Sequence, residues 1–242
     1  MRIFFWKKYL IKKIKEYKMQ ISKTDLFTFI HKSLRSIIYD SSSGLQVTNF
    51  RNFEETESML NILIKNLELL HEHAENEDNI IFPEIAEIEP IMIKELNEEH
   101  KDLELKLKDI LSQVERIRNS TFEEERFEQG IKLNDLFNDF AATYLAHMNH
   151  EEQTVLKASQ KYLSDAELIA IRTRIQTKIS SEQYKIWLNW MLKSLNNYEL
   201  KNLLIGMRAG APKQVLDYVL DVMKNIISES RLKLILKETG FN

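Results

Sequence analysis

Apolar residues recur every three or four positions in four long runs between residues 22 and 152, the spacing of helices that each bury one face. The first run (Leu26, Phe29, Ile30, Leu34, Ile37, Ile38) predicts a helix from about Ser22 to Tyr39, with Ser22 as N-cap, Asp25 at N3 and Ser41–Gly44 as the loop that ends it. The second starts near Thr48 and runs through Met59, Leu60, Leu63, Ile64, Leu67 and Leu70 until Pro83 bounds it. Pro90 suits the first turn of a third helix, which runs toward Arg118. Ser120–Glu123 has capping-box spacing and opens a fourth, whose early pattern Gly130 interrupts. Four such helices with short connections predict an all-α, up-down-up-down four-helix bundle over residues 21–160.

Beyond Lys161 the predicted helices are shorter and rich in Leu, Ile and Trp. Ser164–Glu167 is a further capping box, Pro212 a further first-turn proline, and no internal repeat stands out. Residues 161–242 therefore read as a helical C-terminal extension that packs on the bundle or forms an oligomer contact, which leaves a homo-oligomer open. Residues 1–20 form a basic N-terminal extension. As a helix it would align Phe4, Phe5, Ile11 and Ile14 beside Lys8, Lys12 and Lys15, so contact with a membrane surface stays open, while a loosely attached terminus is the plainer reading.

Composition agrees with a helical reading. The 242 residues include Gly 5, Pro 3 and Cys 0, against roughly 17 glycines and 12 prolines at average usage. Sandwiches, barrels and glycine-rich nucleotide folds lack their turn residues here. The missing cysteines exclude disulfides, thiolate metal sites and cysteine nucleophiles, and suggest a cytoplasmic protein. The net charge of −3 hides a partition. Residues 1–20 and 161–242 are basic, whereas residues 21–160 carry 28 acidic against 14 basic residues and all six histidines. Such a segment attracts cations and repels nucleic acid, for which no reading motif exists.

Within it, His73 and Glu77, His100 and Glu104, and His147 and Glu151 are each four residues apart, one turn along one helical face. His31 adds an imidazole from the first helix. Imidazole and carboxylate donors without sulfur suit iron, manganese or zinc. His71, about 200° from His73, falls outside this face; His150, three residues from His147, is close enough to be an outer partner or a replacement ligand, while a structural or surface histidine is the plainer reading. Glu95–Glu99 and Glu123–Glu125 read as solvated faces, and Phe27 and Tyr144 as core.

His71–Pro83 (HEHAENEDNIIFP), Phe29–Arg35 (FIHKSLR), Glu98–Glu104 (EEHKDLE) and Tyr144–Leu156 (YLAHMNHEEQTVL) together resemble, in order and spacing, the hemerythrin-like, HHE cation-binding family. The resemblance covers about residues 22–158 and implies a non-haem di-iron centre. His31, His73, His100 and His147 would be its terminal ligands and Glu77 a bridging carboxylate. Either Glu151 or Glu152 would supply the second bridge: the family spacing favours Glu152 and facial register favours Glu151. Glu104 stands where oxygen-carrying relatives have a second histidine. As a ligand it would stabilise the ferric state and disfavour reversible dioxygen carriage. The expected function is to bind or sense dioxygen, nitric oxide or peroxide, or to handle iron. A di-iron enzyme turning over peroxide or nitric oxide and a metal-free helical interaction protein are the alternatives. No separate catalytic residues are visible.

Overall fold

The computed structural model describes residues 23–240, so the proposed cap Ser22 and the basic segment 1–20 lie outside the described residues. The described residues are helical, with no strand among them. Four long helices come first: α1 (Thr28–Val47), α2 (Phe53–Asn76), then after a π-turn (Glu77–Ile81) and the short α3 (Pro83–Ala86), α4 (Pro90–Asn119) and α5 (Glu123–Gln153). Helices α6 (Val155–Tyr162), α7 (Asp165–Lys178), α8 (Ser181–Ser194), α9 (Asn197–Gly210), α10 (Lys213–Ile226) and α11 (Glu229–Thr239) follow. None is long and apolar enough to cross a membrane.

Several expected boundaries move. Helix α1 continues through Ser41–Gly44 because tertiary contacts outweigh loop-like composition. Buried Ser41 accepts a hydrogen bond from Asn66 on α2, and a Cβ at Gly44 would stand 2.7 Å from the Met59 sulfur. Its start is fixed by Asp25, whose carboxylate accepts from the amides of Phe27 and Thr28. Asn52, rather than a residue near Thr48, caps α2. The Ser120 capping box does not form: Phe122 takes the N-cap position of α5, and the Ser120 hydroxyl donates back to Arg116. Gly130 lies inside α5, where an added Cβ would meet the Phe50 ring at 2.2 Å.

Two apolar clusters sandwich a polar layer. One fills the body of the four long helices with Leu34, Ile37, Leu63, Leu70, Leu103, Phe137 and Tyr144, among others. The second closes one end with Phe27, Ile80, Phe82, Leu96, Val155 and Leu168. Helices α1 and α4 run from the second cluster into the first, whereas α2 and α5 run from the first toward the second.

The C-terminal helices have a third core, built on Leu188, Leu192, Leu200, Leu204, Val219, Met223 and Ile235. Helix α8 rests on α1, where Ser33 meets Ser194, and Lys32 of α1 pairs with Glu199 of α9. Here the structure corrects the sequence reading. The N-cap positions of α7 to α11 are Ser164, Ser180, Asn196, Pro212 and Ser228, one every sixteen residues. Leu168, Tyr184, Leu200, Leu216 and Leu232 hold one register position, and Ile171, Trp187, Leu203, Val219 and Ile235 another. Residues 164–240 are thus built on one repeated cap-and-helix unit.

Candidate metal centre

Each long helix sends one histidine into the layer between the first two clusters. His31 follows Phe27 by one turn, His73 follows Leu70, His100 follows Leu96 and His147 follows Tyr144. All four are at most 8% exposed. Glu77 and Glu151, one turn beyond His73 and His147, are 1% and 0% exposed. The π-turn after α2 closes with Phe82 N–H donating to Glu77 C=O, five residues back, at 2.8 Å. Wide turns of this kind are frequent at functional sites; this one turns Glu77 inward and Asp78 toward His100 of α4.

The six side chains form two groups of four that share both carboxylates: His31, His73, Glu77 and Glu151, and His100, His147, Glu77 and Glu151. Donor atoms within each group lie within 4.8 Å of one another. In the first, His73 Nε2 is 3.0 Å and His31 Nε2 3.6 Å from Glu77 Oε1, and His31 Nε2 is 3.5 Å from Glu151 Oε2. In the second, His100 Nε2 is 3.7 Å from Glu77 Oε2, and His147 Nε2 is 3.3 Å from Glu151 Oε1. Each carboxylate therefore offers one oxygen to each group.

The outer imidazole nitrogens are held by acids. His31 Nδ1 is 3.0 Å from Glu152, which also accepts from Arg35; His100 Nδ1 is 2.7 Å from Asp78; His147 Nδ1 is 2.7 Å from Glu99. Glu99 takes His150 Nδ1 on its other oxygen at 2.8 Å. A carboxylate only accepts, so His100 and His147 carry their hydrogens on Nδ1. When neutral, the two rings then oppose Nε2 lone pairs across 2.8 Å. That approach is stable only around a proton or another cation.

Unmet demand appears elsewhere in the layer. Nε2 of His31 and His73 and all four oxygens of Glu77 and Glu151 are buried without a hydrogen-bond partner. A buried ionised carboxylate costs several kcal/mol unless compensated. In the metal-free chain, protons compensate. Burial pulls the His31 pKa down, yet the Glu152 hydrogen bond and the nearby Glu77 and Glu151 carboxylates outweigh it and raise the value to about 9. His147 is likewise raised to about 9, where burial is overcome by the adjacent Glu151 carboxylate, with Glu77 and Glu99 adding to it. Burial pushes Glu77 upward, but the adjacent His73 and His31 rings hold it well below the usual carboxylate range. The His31 hydrogen bond and the Arg35 side chain lower Glu152 to about 2. The donor set fits cations that take imidazole and carboxylate oxygen. Aromatic rings shield it: Phe27 edge-on to His31, Phe82 stacked on His100, and Tyr144, whose hydroxyl donates to Leu70 C=O, edge-on to His147.

The sequence-predicted residues divide. His31, His73, Glu77, His100, His147 and Glu151 come together, and Glu151 occupies the shared position while Glu152 stands behind His31. Glu104 does not join them: its side chain is 52% exposed and pairs with Lys108 at 2.7 Å. Helix direction explains the miss. On α2 and α5 the residue after the histidine's turn lies toward the second cluster, but on α4 it lies toward the first, and Leu96 takes the corresponding level. His71 stays outside and half exposed, and His150 stands behind His147 on the second oxygen of Glu99. Glu99 and Asp78 were the residues missed. Glu99 is part of the run read as a solvated face, and neither acid shows a spacing that marks it, because its histidine sits on another helix.

The hemerythrin HHE cation-binding domain model matches residues 23–159. A curated relative, the F-box/LRR-repeat protein 5 of Danio rerio, is 25% identical over 162 residues, which is 66% of this chain and 23% of that protein. The chain thus spans about a quarter of that relative's length. No solved structure matches it.

Proposed function

Because the chain belongs to the hemerythrin HHE cation-binding domain family, we propose that it holds a non-haem di-iron centre that binds or senses dioxygen, nitric oxide or peroxide, or handles iron. The observation that carries this reading is the pair of buried ligand groups sharing Glu77 and Glu151. His31 and His73 would hold one ion, His100 and His147 the other, and the two glutamates would bridge them. Manganese or zinc fits the same donors. The alternating directions of α1, α2, α4 and α5 between the two clusters support an up-down-up-down bundle over residues 21–160, with residues 161–242 as a helical extension that packs on it.

Bound iron would supply Lewis acidity and one-electron chemistry to a small ligand. The chain's own residues do the rest. Glu152, Asp78 and Glu99 keep hydrogens on Nδ1 of three histidines, which leaves each Nε2 lone pair facing inward. Phe27, Phe82 and Tyr144 exclude bulk water.

Metal analysis and an absorption spectrum on protein from iron-supplemented cells test the proposal. About two irons per chain with oxo-to-iron charge-transfer bands are expected. Absence of stoichiometric metal after anaerobic iron reconstitution overturns it. Sustained turnover of peroxide or nitric oxide would move the reading to an enzyme.

A further inference from the structure

A cleft of about 290 Å³ lies between α2 and α4 and ends against His100, Leu103, Phe140 and Tyr144. Those four are buried, whereas the His71, Glu75, Asp78 and Glu104 side chains that also line it are 42–62% exposed and form its mouth. Three acids and a histidine thus stand over an opening whose inner end is a histidine of the buried centre. Lys101 also lines the cleft, but its ammonium is 2.6 Å from Glu98, which is not a lining residue. Lys108 pairs with Glu104, and His71 lies 3.6 Å from Glu75.

The centre has three carboxylates reaching outward from its histidines, and they differ as steps for an incoming cation. Glu152 is held between His31 and Arg35, whose guanidinium repels a cation. Glu99 has both oxygens engaged, one by His147 and the other by His150. Asp78 bonds His100 through one oxygen, and its other oxygen has no partner among the described residues. Asp78 is also adjacent in sequence to Glu77, whose two oxygens are among the buried, unpartnered atoms of the centre.

We propose that this cleft is the route by which a divalent cation reaches the buried centre, with Glu75, Glu104 and His71 as transient ligands at the mouth and Asp78 as the step onto the His100–Glu77 edge. The inference rests on the metal reading above. It gives Glu104 a role in admission where its position denies it one in coordination. The pair Glu75 and Glu104 concentrates cations at the opening, and charge-lined clefts of this kind raise association rates by about tenfold or more.

Stopped-flow loading of the metal-free full chain with cobalt(II), under nitrogen and followed by the ligand-field bands, tests the route. The doubly substituted Glu75→Gln, Glu104→Gln chain is expected to load at least about threefold more slowly at low salt, through loss of local steering. Its final stoichiometry and spectrum should match those of the unmodified chain. Glu128→Gln with Asp135→Asn removes the same charge from the exposed side of α5 and is expected to load at the unmodified rate. A cleft variant that loads at the unmodified rate, or a control slowed as much as the cleft variant, overturns the proposal. An unmodified chain that takes up no cobalt is a different result: it removes the metal reading and the route with it.

Discussion

Stripping the metal should make stability fall as pH rises from neutrality, because protons then hold the charge balance of the centre. His31 and His147 have pKa values of about 9 in the metal-free fold, against 6.5 for free histidine. A raised value means that folding favours the protonated ring. That contribution is complete below pH 6.5 and is lost as pH rises through about 9. At about 1.4 kcal/mol per unit, each histidine contributes on the order of 3 kcal/mol. Both rings face Glu77 and Glu151, so the two contributions are coupled and do not add. A total loss of about 3–4 kcal/mol between pH 6.5 and 9.5 is expected, a large share of the 5–15 kcal/mol typical of domains. Urea unfolding of chelator-treated protein across this range measures it. Iron-loaded protein should show little change in the same window, since ligated imidazoles are already neutral. Metal titration at pH 7.5 should release about two protons per chain, one from each raised histidine. A metal-free midpoint that stays level or rises with pH would refute the argument.

Three further outcomes separate the roles of the acids and test the packing. Glu151→Ala should abolish binding of both ions, whereas Glu152→Gln should keep the two-ion stoichiometry with affinity reduced about 10–100-fold; competition with a chelator distinguishes them, and equal loss in both would remove the distinction. Glu99→Gln should weaken binding over a similar range by releasing both His147 and His150, and an unchanged affinity would make Glu99 a bystander. Gly130→Ala should lower stability by about 1–3 kcal/mol, because the new Cβ would overlap the buried Phe50 ring at 2.2 Å; an unchanged melting temperature would show that α1–α2 loop packing yields freely.

The long helices were legible because burial of one face imposes a period on the sequence, and that period survives in every run from Leu34 to Met148. Their ends were less so. Ser41–Gly44 has the composition of a loop, yet its small side chains are what let α2 approach, and the Ser41–Asn66 hydrogen bond is invisible without the partner helix. The sixteen-residue unit escaped notice for a related reason. Its cap residue changes from serine to asparagine, which both accept from the N3 amide, and then to proline, which has no side-chain acceptor, so only the apolar register persists throughout. Once the caps are aligned, Leu200, Leu216 and Leu232 fall into one column without adjustment.

At the centre, the histidines were legible and the carboxylates only partly so, and the reason is directional. Four residues advance a helix by about 400°, so a glutamate four positions after a histidine keeps its face but moves one turn along the axis. On α2 and α5 that turn leads toward the end cluster, and Glu77 and Glu151 arrive at one level from helices running the same way. On α1 and α4, which run the opposite way, that level is reached four residues before the histidine, at Phe27 and Leu96. Both are apolar and fully buried, so they wall the carboxylate layer where further acids would overload it with charge. Glu104 has the same spacing as the two bridging candidates and the wrong direction. Leu103 and Leu107 hold the inward seam beside it, and its carboxylate turns to Lys108 and the cleft. A His-x-x-x-Glu spacing therefore marks a ligand pair only on helices that run toward the level where the acids meet, and chain direction within a fold is what a spacing alone does not carry.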